Sequence, residues 1–187
     1  MKRTINPVFV ALALAVVTVS CGGGSTLDNT EASVYLTIDI DEYNPDIDIC
    51  SQGFDIAISQ MSIASETKDP AGDATAQQDV NLKQWVVKPY RTDGGTTASP
   101  EWTYDQAVFV PAGGNADLEN YRVYPFEYLS EVPLAYLLPE NGGFDPETGN
   151  INIRQSFELQ IFGQTVSGKR VATTPISIAF NFFCAGQ

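Results

Sequence analysis

The chain reads as an all-β protein, a two-layer antiparallel sandwich. Three observations predict it. Apolar residues alternate with polar ones at period two in seven or more short segments, turn formers separate those segments, and almost nothing carries a helical period. Period two sends alternate side chains to opposite faces of a strand, and several half-buried strands bury their apolar faces by stacking as two sheets. A small closed barrel is the alternative architecture.

The elements follow in chain order. Val34, Leu36, Ile38 and Ile40 alternate with Tyr35, Thr37, Asp39 and Asp41, a half-buried first strand. Phe54, Ile56 and Ile58 form the apolar row of a second, and the phase then shifts to Met61 and Ile63, which predicts a bulge near Gln60. Residues 65–78 are polar, with turn signals at Asp69-Pro70 and Gly72-Asp73, and are expected to be a disordered loop. A long strand over 80–92 carries Leu82, Trp85, Val87 and Tyr90, and Asp93-Gly94-Gly95 turns the chain after it. Strands over 104–110 and 118–124 end at Pro111-Ala112-Gly113-Gly114 and at Pro125. Residues 130–138 offer the one helical turn, with Ser130 as N-cap and Pro133 and Pro139 keeping it short. A turn-rich loop over 140–150 leads to a strand over 151–162 with Phe157, Leu159 and Ile161 on one face. After turns at Gly163-Gln164 and Ser167-Gly168, the last strand places Ile176, Ile178, Phe180, Phe182 and Cys184 on a single core-facing row.

The N-terminus has a different character. Met1-Lys2-Arg3, an apolar run from Val8 to Val19 and Ser20-Cys21-Gly22 describe a signal peptide over 1–20. The run is bracketed by Asn6, Pro7, Thr18 and Ser20, short of the roughly 20 apolar residues that a membrane span needs. The cysteine after the break resembles the bacterial lipoprotein signal, although Thr18 stands where leucine is commonest. That resemblance implies acyl chains on Cys21, which hold a protein stably to a membrane when two or more are present. Gly22 in place of Asp resembles lipoproteins passed on to the outer membrane of Gram-negative cells. Residues 21–30, rich in Gly, Ser, Thr and Asp, then read as a flexible tether, and residues 31–187 as the β domain. An ordinary cleaved signal and an uncleaved anchor are the other readings.

Cysteine number fits that picture. Three cysteines leave one unpaired in an oxidising compartment. With Cys21 acylated, Cys50 and Cys184 remain to form a disulfide that closes a loop of over a hundred residues, for which the chain-entropy model gives about 4.7 kcal/mol; two buried free thiols are the alternative. Charge narrows the partners. The chain has 10 basic and 23 acidic residues, and removing Lys2 and Arg3 with the signal leaves 8 against 23, or −15. Nucleic acid is excluded as a partner, because phosphate neutralisation needs clustered Lys and Arg. Such a domain also repels anionic headgroups, so membrane attachment must come from lipid.

The chain contains no histidine, which excludes Ser-His-Asp and Cys-His catalysis and removes the commonest zinc and copper ligand. No strand–helix unit exists to open a phosphate loop. Two acidic stretches offer oxygen ligands to a hard cation such as calcium: Asp39, Asp41, Glu42, Asp46 and Asp48, and Asn141, Asp145, Glu147 and Asn150. A solvated outer face that resists edge pairing explains the first equally. Trp102 and Tyr104 form a candidate platform for sugar rings or a partner protein, and Tyr121, Tyr124, Phe126 and Tyr128 make a second aromatic cluster; core packing explains both as well.

A tryptophan inside a strand, with the order Cys50, Trp85, Cys184, has immunoglobulin-like character, although the interval to Cys184 is longer than in antibody domains. Four segments, Val80-Asn81-Leu82, Tyr90-Arg91-Thr92-Asp93-Gly94-Gly95, Val110-Pro111-Ala112-Gly113-Gly114 and Pro139-Glu140-Asn141-Gly142-Gly143, resemble uncharacterised exported bacterial lipoproteins with an immunoglobulin-like β-sandwich domain. The resemblance implies a fold and no catalytic residues. The expected function is a non-enzymatic, lipid-anchored structural or protein-interaction module at the cell envelope, with an envelope protein or glycan as partner and no obligatory cofactor. A carbohydrate- or calcium-binding envelope module is the alternative.

Overall fold

A computed structural model describes residues 31–51 and 53–186. The expected signal segment and the expected tether, with Cys21, lie outside the described residues. Among the described residues, nine strands form two sheets. The smaller sheet has the order β1 (Val34–Tyr43), β3 (Ile56–Thr67), β6 (Asn115–Tyr124). The larger runs β2 (Asp46–Asp48), β9 (Ile176–Phe183), β7 (Asn152–Thr165), β4 (Val80–Arg91), β5 (Trp102–Val110), and β8 (Arg170–Ala172) pairs the far end of β7.

The apolar rows of the sequence become the core. Val34, Leu36, Ile58, Ile63, Leu82, Val87, Phe157, Leu159, Ile161 and Phe182 are fully buried between the sheets. Trp85 sits on β4, with its indole stacked on Tyr121 of the opposite sheet at 4.2 Å between centroids and its Nε1 donating to the Gln106 carbonyl at 3.0 Å. One ring thus fills the space between sheets without leaving its polar atom unpaired.

Bulges reconcile the strands with their neighbours. β1 and β3 slip register around Glu42 and Gln60, where the apolar phase of β3 changes from Ile58 to Met61, as the spacing predicts. A second slip between Leu82 and Gln84 of β4 explains why Leu82 and Trp85, three apart, both face inward.

Several expectations are corrected. The sandwich is not wholly antiparallel: β2 runs parallel to β9. The short β2 and β8 are too brief to show a period. Phe54 lies before β3 and is 71% exposed, so the apolar row starts at Ile56. Tyr90, near the end of β4, is exposed rather than in the core row. Residues 65–78 are structured: β3 continues to Thr67, Asp69 accepts the Ala71 N–H at 3.0 Å, and Thr75 opens a 3-10 turn at Ala76–Gln78. No helical turn spans 130–138. Short 3-10 turns at Phe126–Ser130, Leu134–Leu137 and Pro139–Asn141 take its place, and Ser130 ends one rather than capping the next. Pro133 and Pro139 lack the N–H groups a continuous helix would need.

Along one side the sheets touch. The Ala32 N–H donates to Arg170 O at 3.2 Å, the Thr174 N–H to Leu36 O at 3.1 Å, and Leu36 bridges Thr173. The sandwich leans toward closure here but keeps two sheets.

Candidate functional site

At one end of β4, the turn after the strand is held by a buried charge network. Arg91 donates from Nε to Asp93 Oδ1 at 2.7 Å and from Nη2 to Asp145 Oδ2 at 2.6 Å. The Arg91 side chain is 2% exposed and that of Asp145 0%. Burial raises both carboxyl pKa values on its own. The Arg91 guanidinium overcomes this, helped at Asp93 by the N–H groups of Arg154 and Gly95 and at Asp145 by the Thr148 hydroxyl, so both carboxyls lie below their ordinary range. Gly95 lies against the guanidinium: a Cβ there would fall 2.3 Å from Arg91 Cζ, which only glycine avoids.

Three further contacts pin the same turn. Glu147 accepts from the side chains and N–H groups of Thr96 and Thr97, and these bonds hold its carboxyl down to about 2. Buried Gln155 accepts the Ser99 N–H at 2.9 Å and donates to Ser99 Oγ at 2.7 Å. The Tyr124 hydroxyl donates to Pro100 O at 2.7 Å. The turn is a rigid clasp between the β4–β5 and β6–β7 connections. Arg91 and Asp93 as its centre were not separable from ordinary turn residues in the sequence, although both lie in one of the four distinctive segments.

Two of those four segments meet. Val80 pairs with Val110 at one end of β4, where Asp79 also accepts the Ala112 N–H at 2.9 Å. Arg91 and Asp93 meet Asp145, two residues beyond Gly143, at the other end.

Asp145 and Glu147 are thereby occupied by Arg91 and by the two threonines, so this stretch gathers no oxygen cage for a cation. In the first acidic stretch, Asp39, Asp41, Glu42 and Asp46 are exposed; Asp46 accepts from Asn181 Nδ2 at 2.9 Å. Their carboxylates form no group of three that could hold a metal ion among the described residues. Asp48 instead stands beside Cys50 and Cys184, and one ligand atom from each lies within 4.8 Å of the others.

Cys50 and Cys184 form a disulfide with Cα atoms 5.1 Å apart. They follow β2 and β9, neighbours in the larger sheet, so the bond joins two strand ends of one sheet. Cys184 is buried at the foot of the β9 core row, as its position in that row predicts.

Trp102 and Tyr104 do stack, at 3.9 Å between centroids, but Trp102 is only 9% exposed and Arg122 covers the pair, 4.8 Å from the Trp102 ring. The expected open platform is therefore corrected to packing: Tyr104 continues the stack inward to Trp85, and its hydroxyl donates to Arg122 O at 2.7 Å. Burial pushes the Tyr104 pKa up. In the second aromatic cluster Tyr121 and Tyr124 are buried, and only Phe126 is substantially exposed.

Among the described residues, no helix is long and apolar enough to cross a membrane. No family model matches the chain, and neither a curated protein nor a solved structure matches it.

Proposed function

We propose that the protein is a non-enzymatic, lipid-anchored module of the bacterial cell envelope, an immunoglobulin-like sandwich that serves a structural or protein-interaction role. The observation that carries this reading is the pairing of Cys50 with Cys184. It leaves Cys21 as the odd cysteine, directly behind a basic start and an apolar run. Disulfides persist in exported compartments, which agrees with a signal segment and with acylation of that remaining thiol. The immunoglobulin-like assignment draws on two layers and a buried Trp85 at their centre. It departs from antibody domains in one respect, since the disulfide lies within a sheet rather than between sheets.

A charge near −15 after signal removal directs the domain away from nucleic acid and anionic lipid, so its membrane contact is the acyl group and its partner an envelope protein or glycan. Metabolic labelling with an alkyne palmitate tests the anchor. The wild-type chain takes up label and sediments with envelopes; Cys21→Ala loses both. An unlabelled wild type, or a Cys21→Ala chain still fastened to envelopes, rejects the proposal.

A further inference from the structure

We propose that reduction of the Cys50–Cys184 bond creates a site for one divalent ion of the zinc and cadmium class, held by the two thiolates and the Asp48 carboxylate. The three ligand atoms already lie within 4.8 Å of one another. A tetrahedral ion with Zn–S of about 2.3 Å and Zn–O of about 2.1 Å sets its ligand atoms about 3.6–3.8 Å apart, so the bonded sulfurs part on reduction and the carboxylate closes onto the ion.

The scaffold holds these residues together independently of the sulfur bond. β2 and β9 pair from Asp46–Asn181 to Asp48–Phe183, and the ladder continues as the Ile49 N–H donates to Phe183 O at 2.9 Å. Asn181 adds an N–H bond to Pro45 O at 2.8 Å and a side-chain bond to Asp46 at 2.9 Å. The two cysteines therefore stay adjacent after reduction. Asp48 is aimed by both of their segments: its Oδ1 accepts the N–H of Cys50 at 3.1 Å and of Ala185 at 3.2 Å, and its Oδ2 accepts from Ser51 Oγ at 2.8 Å. Outer partners of this kind orient a ligating carboxylate, which keeps lone pairs for an ion. Cys50 is exposed, which gives an ion a path in and leaves the fourth position to water.

The site belongs to the reduced state because the thiolate, not the disulfide sulfur, is the metal ligand. A dithiol reductant supplies two electrons and two protons, closing to its own cyclic disulfide and leaving two cysteine thiols. The ion then binds both sulfurs and displaces both thiol protons to solvent. The metal joins the same two strand ends that the disulfide joins, so reduction exchanges one cross-link for another.

Cadmium binding to the full chain in detergent, carrying Cys21→Ser to remove the third thiol, tests this. After reduction and removal of the reductant, one Cd2+ per chain is expected, with a thiolate-to-cadmium absorption band and release of two protons; the oxidised chain shows no such band. Asp48→Asn should weaken the affinity at least about tenfold, the lower end of the loss from even an outer-shell partner. Asp48→Glu should recover part of it, and Cys50→Ser should abolish the band. Circular dichroism confirms that each variant retains its strands, and a variant that loses them is replaced in the comparison by Asp48→Glu. No band in the reduced chain overturns the proposal, as does equal affinity in wild type and Asp48→Asn, or a reduced wild type that matches Asp48→Glu while both match Cys50→Ser.

Discussion

Arg91 serves two carboxylates with one guanidinium in a region closed to solvent, and the cost of disturbing it follows from burial. Removing one member of a buried, hydrogen-bonded ion group leaves an uncompensated charge, which costs about 3–5 kcal/mol. Arg91→Ala, which strands both carboxylates, should lower the unfolding free energy by about 3–5 kcal/mol in urea denaturation, while an exposed pair such as Arg170–Glu31 should contribute little. The same network sets an acid limit. Asp93 and Asp145 have folded pKa values below their ordinary 3.8, and Glu147 is held from 4.5 down to about 2. Their stabilisation is complete above the unfolded pKa values and is lost as pH falls through the folded ones, because the unfolded chain then binds more protons. Thermal melts should therefore be flat above about pH 5 and fall steeply from about pH 4.5 toward 2, and the fall should be shallower in Asp145→Ala. At Gly163 the constraint is steric: a Cβ would meet Asn81 O at 2.3 Å and Leu82 Cα at 2.7 Å, both backbone atoms. Gly163→Ala forces β7 from β4 and should cost about 1–3 kcal/mol, measurable as a lowered urea midpoint.

Among the elements, β2 has the least support of its own: three residues, parallel to the end of β9, at the edge of the larger sheet. The Cys50–Cys184 bond anchors it across a sequence separation of 134. Replacing both cysteines with serine should remove about 2–5 kcal/mol, the range for a native disulfide, with the unfolding slope in urea raised or unchanged and the β2–β9 ladder still formed; a change below about 1 kcal/mol would show that the bond adds little to that ladder. The long strands were legible in the sequence because each keeps one face against the core and so repeats at period two: β1, β4 and β9 stand where the alternation puts them, while β7 runs on to Thr165, so that Gly163-Gln164 is strand paired with β4 and β8 rather than the expected turn. β2 and β8 were not, since three residues cannot display a period. The 3-10 turns after β6 were not legible: Ser130 has the character of an N-cap but ends a turn, and Leu134 and Leu137 are buried by a turn too short to carry a helical period.

At the scale of the molecule, the acidic charge predicts no attachment of the folded body to anionic surfaces. The chain carrying Cys21→Ala, which lacks the proposed acylation site, should fail to sediment with anionic vesicles even at low salt, where any electrostatic attraction would be strongest; co-sedimentation would contradict the charge argument. Composition, strand periodicity and cysteine parity each act locally or by simple count, so the sequence alone predicted an all-β sandwich and Cys50 as the partner of Cys184, and excluded histidine chemistry. Only the tertiary structure decided that Trp102 is covered, that Asp145 answers Arg91 rather than a cation, and that Asp48 stands beside the sulfurs. Each of those depends on segments tens of residues apart being brought within a few ångströms. Burial and charge pairing are properties of that encounter, and no single stretch of chain contains them.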